Sequence, residues 1–226
     1  MDGGHVAFYQ NLNIDLLNKL TPYFASPLFN IETDNGYAEA YQHFKFVAII
    51  LVFAYLCIVK KIRHFLPWAV LFTYFLLDDS LQLHERLGSV IASAIPITPP
   101  FGLRRQDLGE LSVTVTAGLL ILPSLLWAYY SAQPLIRQIF HKLALLLGLL
   151  VVFGVGVDMV HTAFMDHPII SPLLALVEDG GEMLVISLFV SYAFSLANRV
   201  YEAKLHLKSS DVSLPALGNV ESSGLT

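Results

Sequence analysis

The chain has 226 residues, of which 55% are hydrophobic and only 14% are charged. Soluble domains carry about 25% charged residues, so this balance indicates a protein that resides largely in a membrane. The net charge is −5 and the one cysteine is Cys57. These values exclude a nucleic-acid-binding protein, which needs a basic surface, and a fold held together by disulfide bonds.

Five stretches of the chain are apolar and long enough to predict transmembrane helices, each of which needs roughly 20 mostly apolar residues. They cover residues 43–59, 67–95, 111–132, 143–164 and 173–197. Most prolines stand between these stretches or at their ends, where they do not interrupt a helix. The predicted fold class is therefore all-α, a polytopic membrane helix bundle with five transmembrane helices.

The segments on either side of the bundle are more polar. Residues 1–42 are too polar to cross a bilayer and are predicted to be an N-terminal segment on the outer face, either a helix on the membrane surface or a capping loop. Residues 43–200 are predicted to form the five-helix bundle. Residues 201–226 contain few large apolar side chains and are predicted to be a disordered cytoplasmic tail.

Basic residues are more numerous on the side of the bundle that holds Lys60, Lys61 and Arg63. Loops rich in Lys and Arg remain in the cytoplasm. This bias predicts an N-terminus outside and a C-terminus in the cytoplasm, in the plasma (inner) membrane.

Acidic and histidine side chains occur within or at the ends of four of the predicted spans. A carboxylate at the bilayer centre costs about 2.5 to 3.5 kcal/mol on insertion scales, and Arg86 can neutralise only one or two. The residues that this pattern singles out are Asp78, Asp79, His84, Glu85, Glu110, Asp158, His161, Glu178 and Glu182. At about 1.5 Å of rise per residue, all of them lie between the membrane midplane and its outer face, which predicts one shared site.

The spacing of two residue pairs indicates metal binding. Asp158 and His161 are three residues apart and Glu178 and Glu182 are four apart, so each pair shares a helix face. Helical bundles build carboxylate-rich metal sites from such pairs. Carboxylate and imidazole together suit a divalent ion of iron, manganese or zinc.

The second span adds further candidates, since Asp78 and Glu85 fall on one stripe of a continuous helix. The predicted metal ligands are Asp78, Glu85, Asp158, His161, Glu178 and Glu182. The predicted catalytic or proton-handling residues are Asp79, His84 and Glu110. His43 and His167 lie at the outer rim and are interpreted as ordinary polar residues rather than as accessory ligands.

These residues predict a metal-dependent membrane enzyme that acts on a lipid-like small molecule entering from the bilayer. The reaction is either hydrolysis by a metal-bound hydroxide or oxidation. A proton- or cation-coupled transporter that uses the same acids as a relay is the alternative, and a non-catalytic polar cluster is a third. A relay has to reach both membrane faces, so the apolar cytoplasmic halves of the spans favour the enzyme. The predicted partners are membrane lipids and exclude nucleic acid.

Overall fold

The computed structural model of the protein describes residues 26–29, 36–94, 96, 99 and 103–212, with side chains described as far as residue 202. Helix accounts for 88% of the described chain, which contains no strand, and this confirms the all-α fold class. In chain order the helices are α1 (Tyr37–Ile58), α2 (Leu66–Leu81), α3 (Leu83–Ala94), α4 (Arg105–Ser131), α5 (Pro134–Val151), α6 (Asp158–Ala163) and α7 (Ile170–Val212). A π-helical turn, Val152–Val157, joins α5 to α6, and short 3₁₀ turns occur at Pro27–Phe29 and Arg63–Phe65.

Three of these helical segments are long and apolar enough to cross a membrane. They are α1, α4 and the rod Pro134–Ala163, in which α5, the π-helical turn and α6 follow one another. They coincide with the first, third and fourth predicted spans. The structure therefore supports three of the five predicted spans by length and composition.

The predicted second span is divided into two helices at Gln82. This residue adopts a left-handed backbone conformation with φ 51° and ψ 45°, and its amide donates to the carbonyl oxygens of Asp78 and Asp79. A left-handed residue at the end of a helix satisfies the last carbonyl groups and stops the helix from continuing. Helix α2 has 16 residues and α3 has 12, so each is shorter than the roughly 20 residues of a transmembrane helix.

Helix α7 has 43 residues and includes the predicted fifth span. It runs on to Val212, so the predicted boundary at residue 200 falls inside this helix. The physical reason is that residues 200–208 are mostly good helix formers. At the other end, α1 begins at Tyr37 rather than at residue 43. The rest of the predicted tail and most of the predicted N-terminal segment lie outside the described residues.

An aromatic core joins α1, α2 and α7. The ring of Phe53 on α1 stacks on Phe65 at a centroid distance of 5.7 Å, and Phe72 on α2 meets Phe189 on α7 at 4.9 Å with the ring planes 73° apart. All four side chains are fully buried. Offset-stacked and edge-to-face pairs of this kind each contribute about 0.5 to 1.5 kcal/mol beyond the burial of their area, so they fix the arrangement of these three helices.

The outer surface of the bundle carries large apolar side chains. Phe44 and Leu120 are each 76% exposed and Leu145 is 66% exposed. Monomeric soluble proteins rarely expose contiguous apolar patches larger than a few hundred Å². These outward faces, together with the three long apolar helices, are typical of a protein surrounded by lipid.

Helix α3 packs against α4 through two glycines that face each other. A Cβ atom on Gly109 would overlap the carbonyl oxygen of Gly88, and a Cβ atom on Gly88 would lie 2.7 Å from the backbone nitrogen of Glu110. This close approach lets the Gln106 amide donate both to the Glu85 carbonyl oxygen at 3.0 Å and to the Glu110 carboxylate at 2.7 Å. The two glycines therefore place Glu85 and Glu110 side by side.

Replacing Gly109 by alanine is expected to destabilise the protein, because the new methyl group overlaps the backbone of α3. Overpacking of this kind costs about 1 to 3 kcal/mol. Gly118→Ala is the matched control, since it lies on the same helix with nothing within 4 Å of its added Cβ atom. The control should gain about 0.5 to 1 kcal/mol from helix propensity. Thermal unfolding in detergent, followed by circular dichroism, checks both, and equal unfolding temperatures for the two variants would contradict the proposed contact.

Candidate metal site and polar cluster

The structure brings all nine predicted site residues into one electrostatic network. Each interacts with at least one other member, and the network links α2, α3, α4, α6 and α7. It also includes residues that the sequence analysis did not propose as site residues. We call the whole set the polar cluster: Glu39, His43, Asp78, Asp79, His84, Glu85, Asp107, Glu110, Asp158, His161, Glu178, Asp179 and Glu182.

Within the polar cluster, Asp78 spans the helix break at Gln82. Its Oδ1 accepts a hydrogen bond from the backbone amide of His84 at 3.0 Å, and its Oδ2 lies 3.1 Å from His84 Nδ1. Asp78 thus caps the start of α3 and also pairs with His84, the histidine in the first turn of that helix. The prediction that Asp78 and Glu85 share a stripe is wrong, because that alignment requires an unbroken helix.

His161 connects α6 to α7. Its Nδ1 lies 2.8 Å from Glu178 Oε2 and its Nε2 lies 3.2 Å from Ser171 Oγ. Asp158, which begins α6, interacts electrostatically with both His161 and Glu178. The two spaced pairs of the sequence analysis therefore lie against each other, but both nitrogens of His161 are engaged within the protein.

Glu182 lies where α7 comes closest to the π-helical turn. A Cβ atom on Gly154 would overlap its carboxylate, and a Cβ atom on Gly181 would overlap the ring of Phe153. A π-helical turn of this kind is rare and occurs frequently at functional sites. The Glu182 carboxylate is also repelled electrostatically by Asp79 on α2.

The six predicted metal ligands do not form one ligand set in the structure. Within the described chain, no three of them bring ligand atoms within 4.8 Å of one another, whereas Glu39, His43 and Asp79 do. The predicted ligands are instead paired with neighbours or separated by the helix break at Gln82. This group of three, which we call the Glu-His-Asp triad, is where a metal ion could be held.

The Glu-His-Asp triad is formed by two turns of α1 and the last turn of α2. His43 Nε2 lies 3.0 Å from Asp79 Oδ2 and 3.6 Å from Glu39 Oε1. The Nε2 atom is buried, and its contact with Asp79 is short enough for an ion pair when the imidazole is protonated. The imidazole nitrogen and the two carboxylates therefore form one compact group of possible ligand atoms.

Two of the three triad residues were missed by sequence reasoning. The sequence pattern assigns Glu39 to the polar N-terminal segment and indicates that His43 is an ordinary polar residue at the outer end of the first span. The signal available in the sequence was the four-residue spacing of Glu39 and His43, which places both on one helix face. This spacing is informative only if both residues belong to one helix, and the structure shows that α1 begins at Tyr37. Asp79 was predicted to handle protons rather than to bind metal.

A buried lysine was also missed. Lys45 is only 6% exposed, and its Nζ donates to the Met183 carbonyl oxygen at 2.9 Å and to Ser187 Oγ at 3.4 Å. These two hydrogen bonds connect α1 to α7 at Met183 and Ser187, which follow Glu182 in the chain. Arg86 is exposed and forms no ion pair with the described residues, so it does not reduce the excess of acids in the polar cluster.

Among the described residues, Arg104 is the arginine that forms an ion pair with an acid. Its guanidinium lies 2.7 Å from Oδ1 of Asp107, which is 2% exposed, and its backbone amide donates to Oδ2 at 2.6 Å. The hydrogen bonds that the Arg104 guanidinium donates to the Asp107 carboxylate raise the pKa of Arg104 above its ordinary value, so this side chain stays positively charged. It also interacts electrostatically with Glu110 and Asp158.

These observations define an all-helical protein with three candidate membrane spans and a polar cluster that contains a possible metal-binding triad. The chain belongs to the family described as "Domain of unknown function (DUF8692)", whose model matches residues 44–196. The match includes every predicted site residue and Asp79 of the triad, and it begins one residue after His43. No curated protein and no solved structure matches the chain.

Replacing Gly154 by alanine is expected to displace the Glu182 carboxylate, because the added methyl group overlaps it. We expect a loss of about 1 to 3 kcal/mol in unfolding free energy, as for other overpacked sites. Gly156→Ala in the same π-helical turn is the control, since nothing lies within 4 Å of its added Cβ atom. Denaturant unfolding in detergent measures both, and a Gly154 variant as stable as the Gly156 variant would contradict the close packing of Glu182.

Proposed function

We propose that the protein is an integral membrane hydrolase that binds one divalent metal ion at Glu39, His43 and Asp79. The observation that carries this proposal is the group itself: His43 Nε2 lies 3.0 Å from an Asp79 oxygen and 3.6 Å from a Glu39 oxygen, and one ligand atom from each residue lies within 4.8 Å of the others. Two ligands of one metal ion with bonds of about 2.1 Å stand about 3.0 to 3.4 Å apart. The spacing in the triad thus suits a shared ion.

Charge and chemistry of the donors support the same site. Two ionised carboxylates and one neutral imidazole balance the charge of a divalent cation, and this donor set suits zinc, manganese or iron. The Asp79 side chain is 39% exposed and that of Glu39 is 20% exposed. An ion held here keeps open coordination positions for water and substrate, as catalytic sites require.

Hydrolysis is favoured over oxidation because the described residues provide one three-residue group rather than the paired ligand sets of a di-iron centre. A bound divalent ion makes water a nucleophile at neutral pH. Glu182, whose carboxylate lies in the interior of the bundle against Gly154, is the proposed acceptor of the proton from that water. His84 and Glu110 stay predicted proton-handling groups on the α3–α4 side.

A lipid-like substrate is proposed from the position of the triad. Glu39 and His43 lie in the first two turns of α1, a candidate membrane span, and Phe44 beside them is exposed. A substrate with an acyl chain and an ester or amide bond can place its chain along this apolar surface and its polar bond at the triad. The predicted orientation puts this end at the outer membrane face.

We also propose that the chain crosses the plasma membrane five times, with the N-terminus outside and the C-terminus in the cytoplasm. In this topology α2 and α3 together form the second crossing, and α7 forms the fifth. A broken helix is tolerated at membrane depth where it lines a polar cavity. The break at Gln82 fits this condition, since the carboxylate of Asp78 accepts the hydrogen bond of the His84 amide.

Stripping the purified protein of metal and titrating it with Zn²⁺, Mn²⁺ or Fe²⁺ should reveal one high-affinity site per chain. Loss of a partner that merely orients a ligand weakens metal binding by about 10- to 100-fold, so His43→Ala and Asp79→Asn should weaken it by at least that much. His167→Ala is the control, because His167 is exposed and lies outside the triad. Calorimetry measures the affinities, and equal affinities for His43→Ala and wild type would refute the site.

Vesicles that contain a ceramide and a diacylphosphatidylcholine provide the test of hydrolysis. The metal-loaded protein should release fatty acid from at least one of these lipids, detected by mass spectrometry, and Asp79→Asn should reduce the rate at least about 100-fold because it loses metal-bound water. Glu182→Gln should keep the metal but turn over slowly.

The same vesicles, loaded with a pH-sensitive dye, separate the enzyme from a transporter. Proton or cation flux that Glu182→Gln abolishes, without any lipid product, would replace the hydrolase by a transporter that uses the polar cluster as a relay. Metal binding without either activity would leave the ion a structural part of the bundle and overturn the proposed function.

A further inference from the structure

A groove of about 490 Å³ runs between α1 and α7, beyond the aromatic core and away from the polar cluster. On α1 it extends from Ala48 to Tyr55, which is about 10 Å of helix, and on α7 from Phe194 to Tyr201. Its walls are mainly apolar, and its volume lies within the range of about 300 to 1,000 Å³ found for ligand pockets. One wall of the groove is therefore α1, a candidate membrane span.

One end of the groove carries a positive charge. The Nζ atom of Lys60 lies 5.4 Å from the centroid of the Tyr55 ring and 5.2 Å from that of Tyr201, and both rings line the groove. Cation–π contacts with two rings hold the ammonium group at this end. Within the described residues no carboxylate forms an ion pair with Lys60, and Lys61 and Arg199 add further positive charge nearby in the chain.

We propose that this groove binds an anionic phospholipid, with one acyl chain between α1 and α7 and the phosphate on Lys60. Basic residues at the junction of membrane helices and headgroups attract anionic lipids with about 1 kcal/mol each. The apolar walls match the chain of the lipid, and the half-buried ammonium at the end of the groove matches its phosphate. A zwitterionic lipid offers the same chain but no net charge, so the groove selects for the headgroup.

The position of the groove suits a role separate from the metal site. Lys60 follows the C-terminal end of α1, whereas Glu39 and His43 lie at the N-terminal end of the same helix. A lipid bound here fills the space between α1 and α7, the two helices that Lys45 already connects. Binding of the lipid therefore stabilises the packing on which the triad depends, without contacting the triad.

Native mass spectrometry of the detergent-purified protein tests the proposal, with phosphatidylglycerol and phosphatidylcholine of identical acyl chains as probes. Wild-type protein should retain one phosphatidylglycerol and prefer it to phosphatidylcholine by about fivefold, the ratio that corresponds to about 1 kcal/mol. Lys60→Gln should remove this preference. Ala197→Phe fills the groove while keeping every charge, and it should reduce binding of both lipids.

Lys61→Gln is the matched control, because it removes the same charge from an exposed neighbour and should keep most of the preference. Circular dichroism confirms that each variant is folded. Equal binding of the two lipids to wild-type protein, or an unchanged preference in Lys60→Gln, would overturn the proposal. So would a lipid-free dimer that Ala197→Phe dissociates, because the groove would then hold a second copy of the chain.

Discussion

The left-handed backbone at Gln82 is the constraint on which the polar cluster depends. It ends α2, so that two adjacent carboxylates diverge to different partners: Asp79 contacts His43 on α1, and Asp78 contacts His84 on α3. A left-handed non-glycine residue costs about 1 to 2 kcal/mol. Hydrogen bonds from the Gln82 and His84 amides to Asp78 offset that cost. The same break releases α3 to pack on α4.

The second constraint is the excess of acids over cations inside an apolar bundle. Histidines pair with several of the acids, and the buried Lys45 bonds to a backbone carbonyl and a hydroxyl group rather than to a carboxylate. Asp158 and Glu182 remain close to further acids. Such a cluster is stable when it holds protons or a cation, because unpaired charges in a low-dielectric interior are costly. A metal ion at the Glu-His-Asp triad would supply the positive charge that the cluster needs, and a proton on Glu182 would neutralise one of its acids.

Close helix packing makes the cluster compact. Glycine at Gly88 and Gly109 lets α3 and α4 touch through their backbones, and glycine at Gly154 leaves room for the Glu182 carboxylate. Lipid tails are as apolar as the side chains of the helices, so the hydrophobic effect does not drive membrane helices together. Small residues where two helices cross let their backbones come close enough for favourable packing. The space beside Gly154 is occupied by the Glu182 carboxylate, a contact that only the structure shows.

The sequence by itself determined the helical class and the three apolar segments long enough to cross a membrane, because these follow from composition and from the periodicity of a helix. Only the tertiary structure decided that Asp79 joins Glu39 and His43, that Lys45 is buried, and that the second span is broken. These features depend on packing between helices that are distant in the chain. A left-handed glutamine, moreover, has no signature in the sequence, since glycine and asparagine are the residues expected at such positions.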